Sequence, residues 1–377
     1  MAAQLAKNTF PTVDAGLLTL VAEHADAAER ARRLAPEVVA ALVAAGFARH
    51  FVPRDLGGAA GSFADLHRAV AEVATVCPAT AWCASINAHL ARMAAFLPEE
   101  GRREVWHDGP DALVVGSLIP GSRAVPAADG WRLTGSWQYV SGVDHADWAL
   151  LCGVGPAGEG ATAMMFALPR ASWTVLDTWS DVGMCGTGSH TLTVDDVFVP
   201  ARRVFQRDLA IRGGGAGASA ACLAVPLRAV NALSFAGPAL GAARGLLEAW
   251  RGHVTAKLSR SPSGPVPHPY AAALARATGE IDAAELLLER ACRTADTGEV
   301  PTVSEVRNLR DCALATDLLV TAADRLFRSA GTSAHSVDGP MQRYWRDLHS
   351  IASHVVLQFD AAATTYAEAV LGGAPAR

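Results

Sequence analysis

The chain of 377 residues is 51% hydrophobic and 18% charged, with a net charge of −5. That apolar surplus supports a large core and buried subunit interfaces, so an oligomer is expected. The absence of a basic run argues against nucleic acid and against an electrostatic membrane contact. The first residues lack the charged-then-apolar pattern of a secretory leader. The least charged stretch, 213–243, is broken by Pro226, Arg228 and Pro238 and does not read as a membrane span. Seven cysteines without CxxC spacing point to reduced thiols in a cytoplasmic protein, not to a zinc site or a disulfide framework.

Residues 1–112 read as a helical N-terminal domain. Pro36 interrupts the amphipathic segment Glu29–Phe47 and is placed to start its main helix. Ser62 and Asp65 form a capping pair ahead of the apolar run Leu66–Cys77. The mostly apolar helix over Ala79–Leu97 carries Trp82, Asn87, His89 and Arg92. Of these, Trp82, Asn87 and His89 are the candidate substrate pocket, although satisfied core side chains give the same pattern.

Residues 113–212 change texture, to short Val-, Leu-, Trp- and Thr-rich runs between Gly, Pro and Asp turns, which predicts a middle antiparallel β-domain. From Trp131 to Ser141 the chain alternates with period two. Trp131, Leu133, Gly135, Trp137, Tyr139 and Ser141 therefore share one face. An aromatic wall ending in the Ser141 hydroxyl, with Gly142 admitting close backbone approach, makes a candidate site. On pattern alone, an ordinary amphipathic strand capped by a serine turn is the plainer reading. None of the glycine clusters 153–160, 183–188 and 213–217 has P-loop spacing or a β-α-β setting. Gly183–Ser189 is the best of them, because its amides and the Thr187 and Ser189 hydroxyls suit a polar ring edge or a phosphate. Asp144, His145 and Asp147 crowd one turn and read as solvated charges, so no metal is expected. A hydrolase built on Ser141 and His354 lacks the nucleophile elbow.

Residues 213–377 open with a glycine linker, Gly213–Gly217. The helical patterns Ala229–Lys257, Tyr270–Thr294, Ser304–Ser329 and Pro340–Leu371 then predict a C-terminal four-helix bundle. Gly237, Gly241 and Gly245, four apart, admit a neighbouring helix closely. On the last pattern, Met341, Tyr344, Trp345, Leu348, Ala352, Val355 and Phe359 form the apolar face. His354 falls at its boundary, on the side of Asp347 and Arg343.

Helical domain, β-domain and bundle in this order resemble the acyl-CoA dehydrogenase architecture, an α+β fold, over nearly the whole chain. The resemblance rests on Ala45-Gly-Phe47, Val52-Pro-Arg-Asp-Leu-Gly-Gly58, Pro120-Gly-Ser122, Gly183–Ser189 followed by Asp195–Pro200, Gly241–Gly245 and Arg343–Asp347. Tyr139-Val-Ser-Gly142 and His354 are closer to the flavin-dependent monooxygenases of this fold, the oxygenase components of two-component hydroxylases. That resemblance implies reduced FMN or FAD from a separate reductase, O2 as co-substrate, a flavin C4a-hydroperoxide and hydroxylation of an aromatic or polycyclic small molecule. With the apolar surplus and the four long C-terminal helical patterns, it implies a homotetramer, and it also implies roles for residues. Ser141 would hydrogen-bond flavin N5, and His354 would be the acid/base. Trp137, Tyr139, Gly142, Gly186, Thr187 and Ser189 would line the cofactor. Three alternatives stay open: an N- or S-oxygenase, an acyl-CoA dehydrogenase (disfavoured because Val355 falls where that reaction needs a carboxylate), and a non-catalytic ligand-binding member.

Overall fold

The computed structural model describes residues 11–157, 160–214, 220–260 and 265–372. Five helices come first: α1 (Ala15–Ala31), α2 (Pro36–Ala44), α3 (Phe63–Ala74), α4 (Pro78–Ala94) and α5 (Glu99–Val105). Their starts follow local chemistry. Asp14 caps α1 by accepting the Leu17 N–H at 2.8 Å, and Pro36 opens α2. Ser62 Oγ accepts the Asp65 N–H at 3.0 Å, the capping expected from the sequence.

The strands follow: β1 (Val114–Ser117), β2 (Ser122–Ala127), β3 (Gly130–Val140), β4 (Trp148–Ala157), β5 (Gly160–Pro169), β6 (Thr174–Leu176), β7 (His190–Pro200) and β8 (Val204–Gln206). They form one sheet in the order β6-β7-β3-β2-β4-β5-β8, with β1 added on β4. The sheet is mixed, not antiparallel throughout, because β1 and β2 both run parallel to β4. The chain reaches β4 only after the β2–β3 hairpin, and so long a connection permits parallel pairing. One face of the sheet packs Val114, Leu150, Cys152 and Met165 against the helical core. The other face closes over a smaller core of Leu133, Trp137, Val140, Leu151 and Leu192.

Strand β3 is not regular to its end. Trp137 pairs with Leu192 and Val140 with His190, so two residues of β3 oppose one of β7. Tyr139 sits at φ +61°, the left-handed conformation that such a bulge demands of its extra residue. The alternation therefore slips by one: Val140 turns inward and Tyr139 outward.

Helices return as α6 (Arg207–Arg212), α7 (Ala221–Ala224), α8 (Leu227–Val230), α9 (Leu233–Leu258), α10 (His268–Asp296), α11 (Thr302–Ala330), α12 (Pro340–Ala352) and α13 (Phe359–Leu371). Residues 215–217 of the expected linker and Gly158 lie outside the described residues. The glycine stripe of α9 does what its spacing predicts. A Cβ on Gly241 would lie 2.2 Å from the Ala71 carbonyl oxygen of α3, and one on Gly245 would lie 2.5 Å from that of Thr75.

The fourth predicted bundle helix is broken. α12 stops at Ala352, a single 3-10 turn spans Val355–Leu357, and α13 starts afresh. Two causes converge. The His354 side chain caps the new turn by accepting the Val356 N–H at 3.3 Å, and consecutive β-branched Val355 and Val356 weaken a helix. Among the described residues no helix is long and apolar enough to cross a membrane.

Candidate active site

Three segments meet at Ser141: the end of β3, the loop Gly183–Ser189 and the face of α4 that carries Trp82. Trp82 Nε1 donates to Ser141 Oγ at 2.9 Å. Ser141 Oγ lies 2.8 Å from Ser189 Oγ, and Ser189 Oγ lies 2.6 Å from Thr187 Oγ. Thr187 Oγ donates to the Met184 carbonyl at 2.8 Å. A row of hydroxyls thus runs from an indole N–H to a backbone carbonyl. Gly142, at φ +71°, turns the chain after Ser141 and donates its N–H to the Thr187 carbonyl at 2.8 Å, locking strand to loop.

Helix α12 holds the loop from behind. Asp347, buried, accepts the Met184 N–H at 2.5 Å, and Arg346 donates to the Val182 carbonyl. Burial pushes the Asp347 carboxyl up to about 6, against the pull of that N–H and of Arg346 and Arg343. Gly183 fits only because it lacks a side chain: a Cβ would meet the Arg346 carbonyl oxygen and Ser350 Oγ, each at 2.4 Å.

Beyond the break in α12, His354 stacks on Phe235 (ring centroids 3.8 Å apart) and stands edge-on to Trp82 at 6.0 Å. Burial holds its pKa down to about 4. The imidazole is neutral near pH 7, and the acid/base versatility expected of an unperturbed histidine is narrowed. Its tautomer follows from the cap. Nδ1 accepts from Val356, so the proton sits on Nε2, which has no partner among the described residues.

Residues 12–106 match the family described as "Acyl-CoA dehydrogenase, N-terminal domain", and residues 233–359 match its C-terminal domain. The FADH(2)-dependent resorcinol hydroxylase oxygenase component of a Rhizobium strain is 31% identical over 96% of this chain and 93% of its own. The HsaA monooxygenase of Mycobacterium tuberculosis superposes with a TM-score of 0.90 at 30% identity, over 95% of this chain and 97% of that one. XiaF from Streptomyces, solved with FADH2 and glycerol, superposes at 0.82 with 26% identity, over 100% and 98% of the two chains. The chain belongs to the flavin-dependent monooxygenases of the acyl-CoA dehydrogenase fold. It is an oxidoreductase.

For this monooxygenase the residues singled out from the sequence divide. Trp82, Ser141, Gly142, Thr187, Ser189 and His354 converge. Trp137 and Tyr139 do not form a common wall, because the bulge separates them. Trp137, 1% exposed, lies in the sheet's own core and donates to the Cys152 carbonyl at 2.8 Å. Tyr139, 68% exposed, stands edge-on to Trp179. Gly186 packs into helices: its Cβ would meet those of Ala28 and Ala79 at 3.2 and 3.3 Å.

Asn87 points away from Trp82, since five residues on is about 140° round a helix. It donates to the Val114 carbonyl at 3.1 Å and borders a cavity of about 20 Å³, room for one water. His89, two turns along from Trp82, sits against Phe51 and Phe63, with its pKa pulled down to about 3 by burial and by neighbouring Arg92. The turn residues Asp144, His145 and Asp147 disperse: His145 bonds the Leu34 carbonyl, and Asp147 accepts the Leu113 N–H.

Sequence reasoning missed Phe235 and Met184. Phe235 was legible as the one aromatic in the Ala/Gly-rich first half of α9, residues 233–245. Nothing in the sequence marks the Met184 carbonyl.

Proposed function

We propose that this monooxygenase is the oxygenase component of a two-component system, taking reduced flavin from a separate reductase and hydroxylating an aromatic, phenolic small molecule. Reduced FAD is favoured over FMN, since the resorcinol hydroxylase is named for FADH2 and XiaF was solved with it. When bound, reduced flavin supplies the two electrons with which O2 delivers one oxygen atom to substrate and the other to water.

The observation that carries this reading is the hydroxyl row ending at Ser141, beside the aromatic faces of Trp82 and Phe235 and the imidazole of His354. The set fits a flat, redox-active heterocycle. Ser141 would meet ring N5, Trp82 and Phe235 would exclude water that diverts the oxygen chemistry, and His354 would offer its Nε2–H at the junction of flavin and substrate. Two further readings accompany it. A homotetramer would cover Leu274, Leu286 and Val303, which α10 and α11 leave exposed. A cytoplasmic location suits seven buried, unpaired thiols.

The test is rapid mixing of the protein and reduced FAD with oxygenated buffer, with and without a phenol panel. Slowed flavin reoxidation together with an oxygen-18-labelled phenolic product is expected. Reoxidation at the rate of free flavin, with no product from any phenol, would overturn the reading.

A further inference from the structure

The positions of the hydrogens along the hydroxyl row are fixed by counting. Three oxygen–oxygen contacts, Thr187 Oγ to Met184 O, Ser189 Oγ to Thr187 Oγ, and Ser141 Oγ to Ser189 Oγ, span 2.6 to 2.8 Å. Oxygens that close repel unless a hydrogen lies between them. Three hydroxyls supply one hydrogen each, and the Met184 carbonyl supplies none. Only one assignment fills every contact. Thr187 donates to Met184, Ser189 donates to Thr187, and Ser141 donates to Ser189. At the other end the Trp82 indole is a donor only, so Ser141 accepts there as well.

Ser141 therefore faces the site with no hydrogen to give and one lone pair to offer. Of the three hydroxyl residues it keeps the most exposure, 9% against 5% for Ser189 and 1% for Thr187. The row's terminus is itself fixed, because Asp347 holds the Met184 amide. The ring nitrogen N5 of a flavin carries hydrogen when reduced and a bare lone pair when oxidised. A Ser141 that can only accept bonds the first and repels the second.

We infer that Thr187 and Ser189 are positioning residues that set Ser141 as an acceptor, and that this ordered row makes the site select reduced over oxidised flavin. The inference rests on the proposed function only in placing Ser141 against N5. Neither Thr187 nor Ser189 needs to touch the flavin. Each acts through the hydrogen of its neighbour.

The experiment is a pair of equilibrium titrations on the full chain, oxidised FAD in air and dithionite-reduced FAD under argon. It compares the parent with Thr187→Val, Thr187→Ser and Ser189→Ala. In Thr187→Val, Ser189 loses its acceptor and can donate back to Ser141, freeing the Ser141 hydrogen to meet oxidised N5. In Ser189→Ala, the Ser141 hydrogen loses its acceptor directly. Both variants are expected to lower the ratio of oxidised to reduced dissociation constants about tenfold, mainly through tighter oxidised binding. Thr187→Ser keeps the hydroxyl and should keep the parent ratio.

A merely structural role would weaken both oxidation states together and leave the ratio unchanged in Thr187→Val and Ser189→Ala. That result overturns the inference while the monooxygenase reading stands. Equal binding of both states by the parent overturns it too. Failure of the parent to bind flavin in either state would instead sink the proposed function. Should Thr187→Val not fold, the Ser189→Ala ratio decides alone.

Discussion

The crossing of α3 on α9 and the seam where β3, the 183–189 loop and α12 meet are both buried, yet they are built on opposite terms. At the crossing every contact repeats. Gly237, Gly241 and Gly245 recur with the helix and bring α9 against the backbone of α3 or its side chains. At the seam nothing repeats. The strand carries a bulge at Tyr139, the loop turns through Met184 at φ +54°, and α12 breaks before His354. Repetition lets two rigid elements share a long dry contact, which stabilises. Irregularity aims single polar groups at one point, which periodic elements cannot do.

The comparison breaks most visibly at Gly241. Gly241→Ala pushes a methyl onto the Ala71 carbonyl and the Ala74 side chain, so the two helices must shift apart. Overpacking of this kind should cost on the order of 3 kcal/mol. Chemical denaturation should show that loss, with an unchanged flavin preference in whatever fraction stays folded. Near-parent stability would mean that α9 moves off α3 at little cost.

At the seam the effect should fall on function. Ser141→Ala removes the acceptor facing the site and leaves Trp82 Nε1 without its bond. Peroxide released per reduced flavin consumed should rise about tenfold, equivalent to about 1.4 kcal/mol, while the chain still binds flavin. Peroxide assays on parent and variant, run with substrate saturating, check this. Equal coupling in the two would remove Ser141 from the chemistry.

Acid separates the regions more gently. Burial lowers the pKa of His50 and His67 to about 4 and of His89 to about 3, on the helical side, and that of His354 to about 4 at the seam. An unfolded histidine titrates near 6.5. Between about 6.5 and 4 the unfolded chain thus binds more protons, so these residues stabilise fully above about 6.5 and lose that contribution as pH falls. Asp347, raised to about 6, has the opposite sign: its contribution declines as pH rises from about 4 to 6, which partly offsets the histidines. Thermal unfolding at successive pH values should show net loss on acidification. His67, neither of whose ring nitrogens is bonded among the described residues, is the cleanest probe. His67→Leu should flatten the acid slope without altering the ratio of oxidised to reduced flavin binding.

The smallest expected effect is none at all. Abstraction of an α-proton from an acyl thioester needs a carboxylate within hydrogen-bond reach. Val355 is exposed on its 3-10 turn, Asp347 is committed to Met184, and Asp360 is exposed. Anaerobic titration of the flavin-loaded chain with acyl-CoAs of several lengths should leave the flavin oxidised. Bleaching would restore the dehydrogenase alternative.

The sequence by itself determined most of the elements and their order. Capping at Ser62, Pro36 at a helix start, the glycine stripe of α9 and the run of short strands are local or periodic, and each is decided within a few residues of chain. The same holds for the chemical types at the site, since the hydroxyls of Ser141, Thr187 and Ser189 and the ring of His354 were visible as letters. Tertiary structure alone decided what those letters face. The alternation of β3 placed Trp137 and Tyr139 together, but pairing with β7 inserts a bulge that parts them. A helical wheel drawn through Pro340–Leu371 put His354 at the edge of an apolar face, but the helix stops at Ala352, so the wheel did not apply. The Met184 carbonyl, which orders the hydroxyl row, is a backbone atom brought there by Asp347, 163 residues away in the chain. Period and propensity are properties of neighbours in sequence. Direction and hydrogen-bond polarity at this site come from contacts between segments far apart in it.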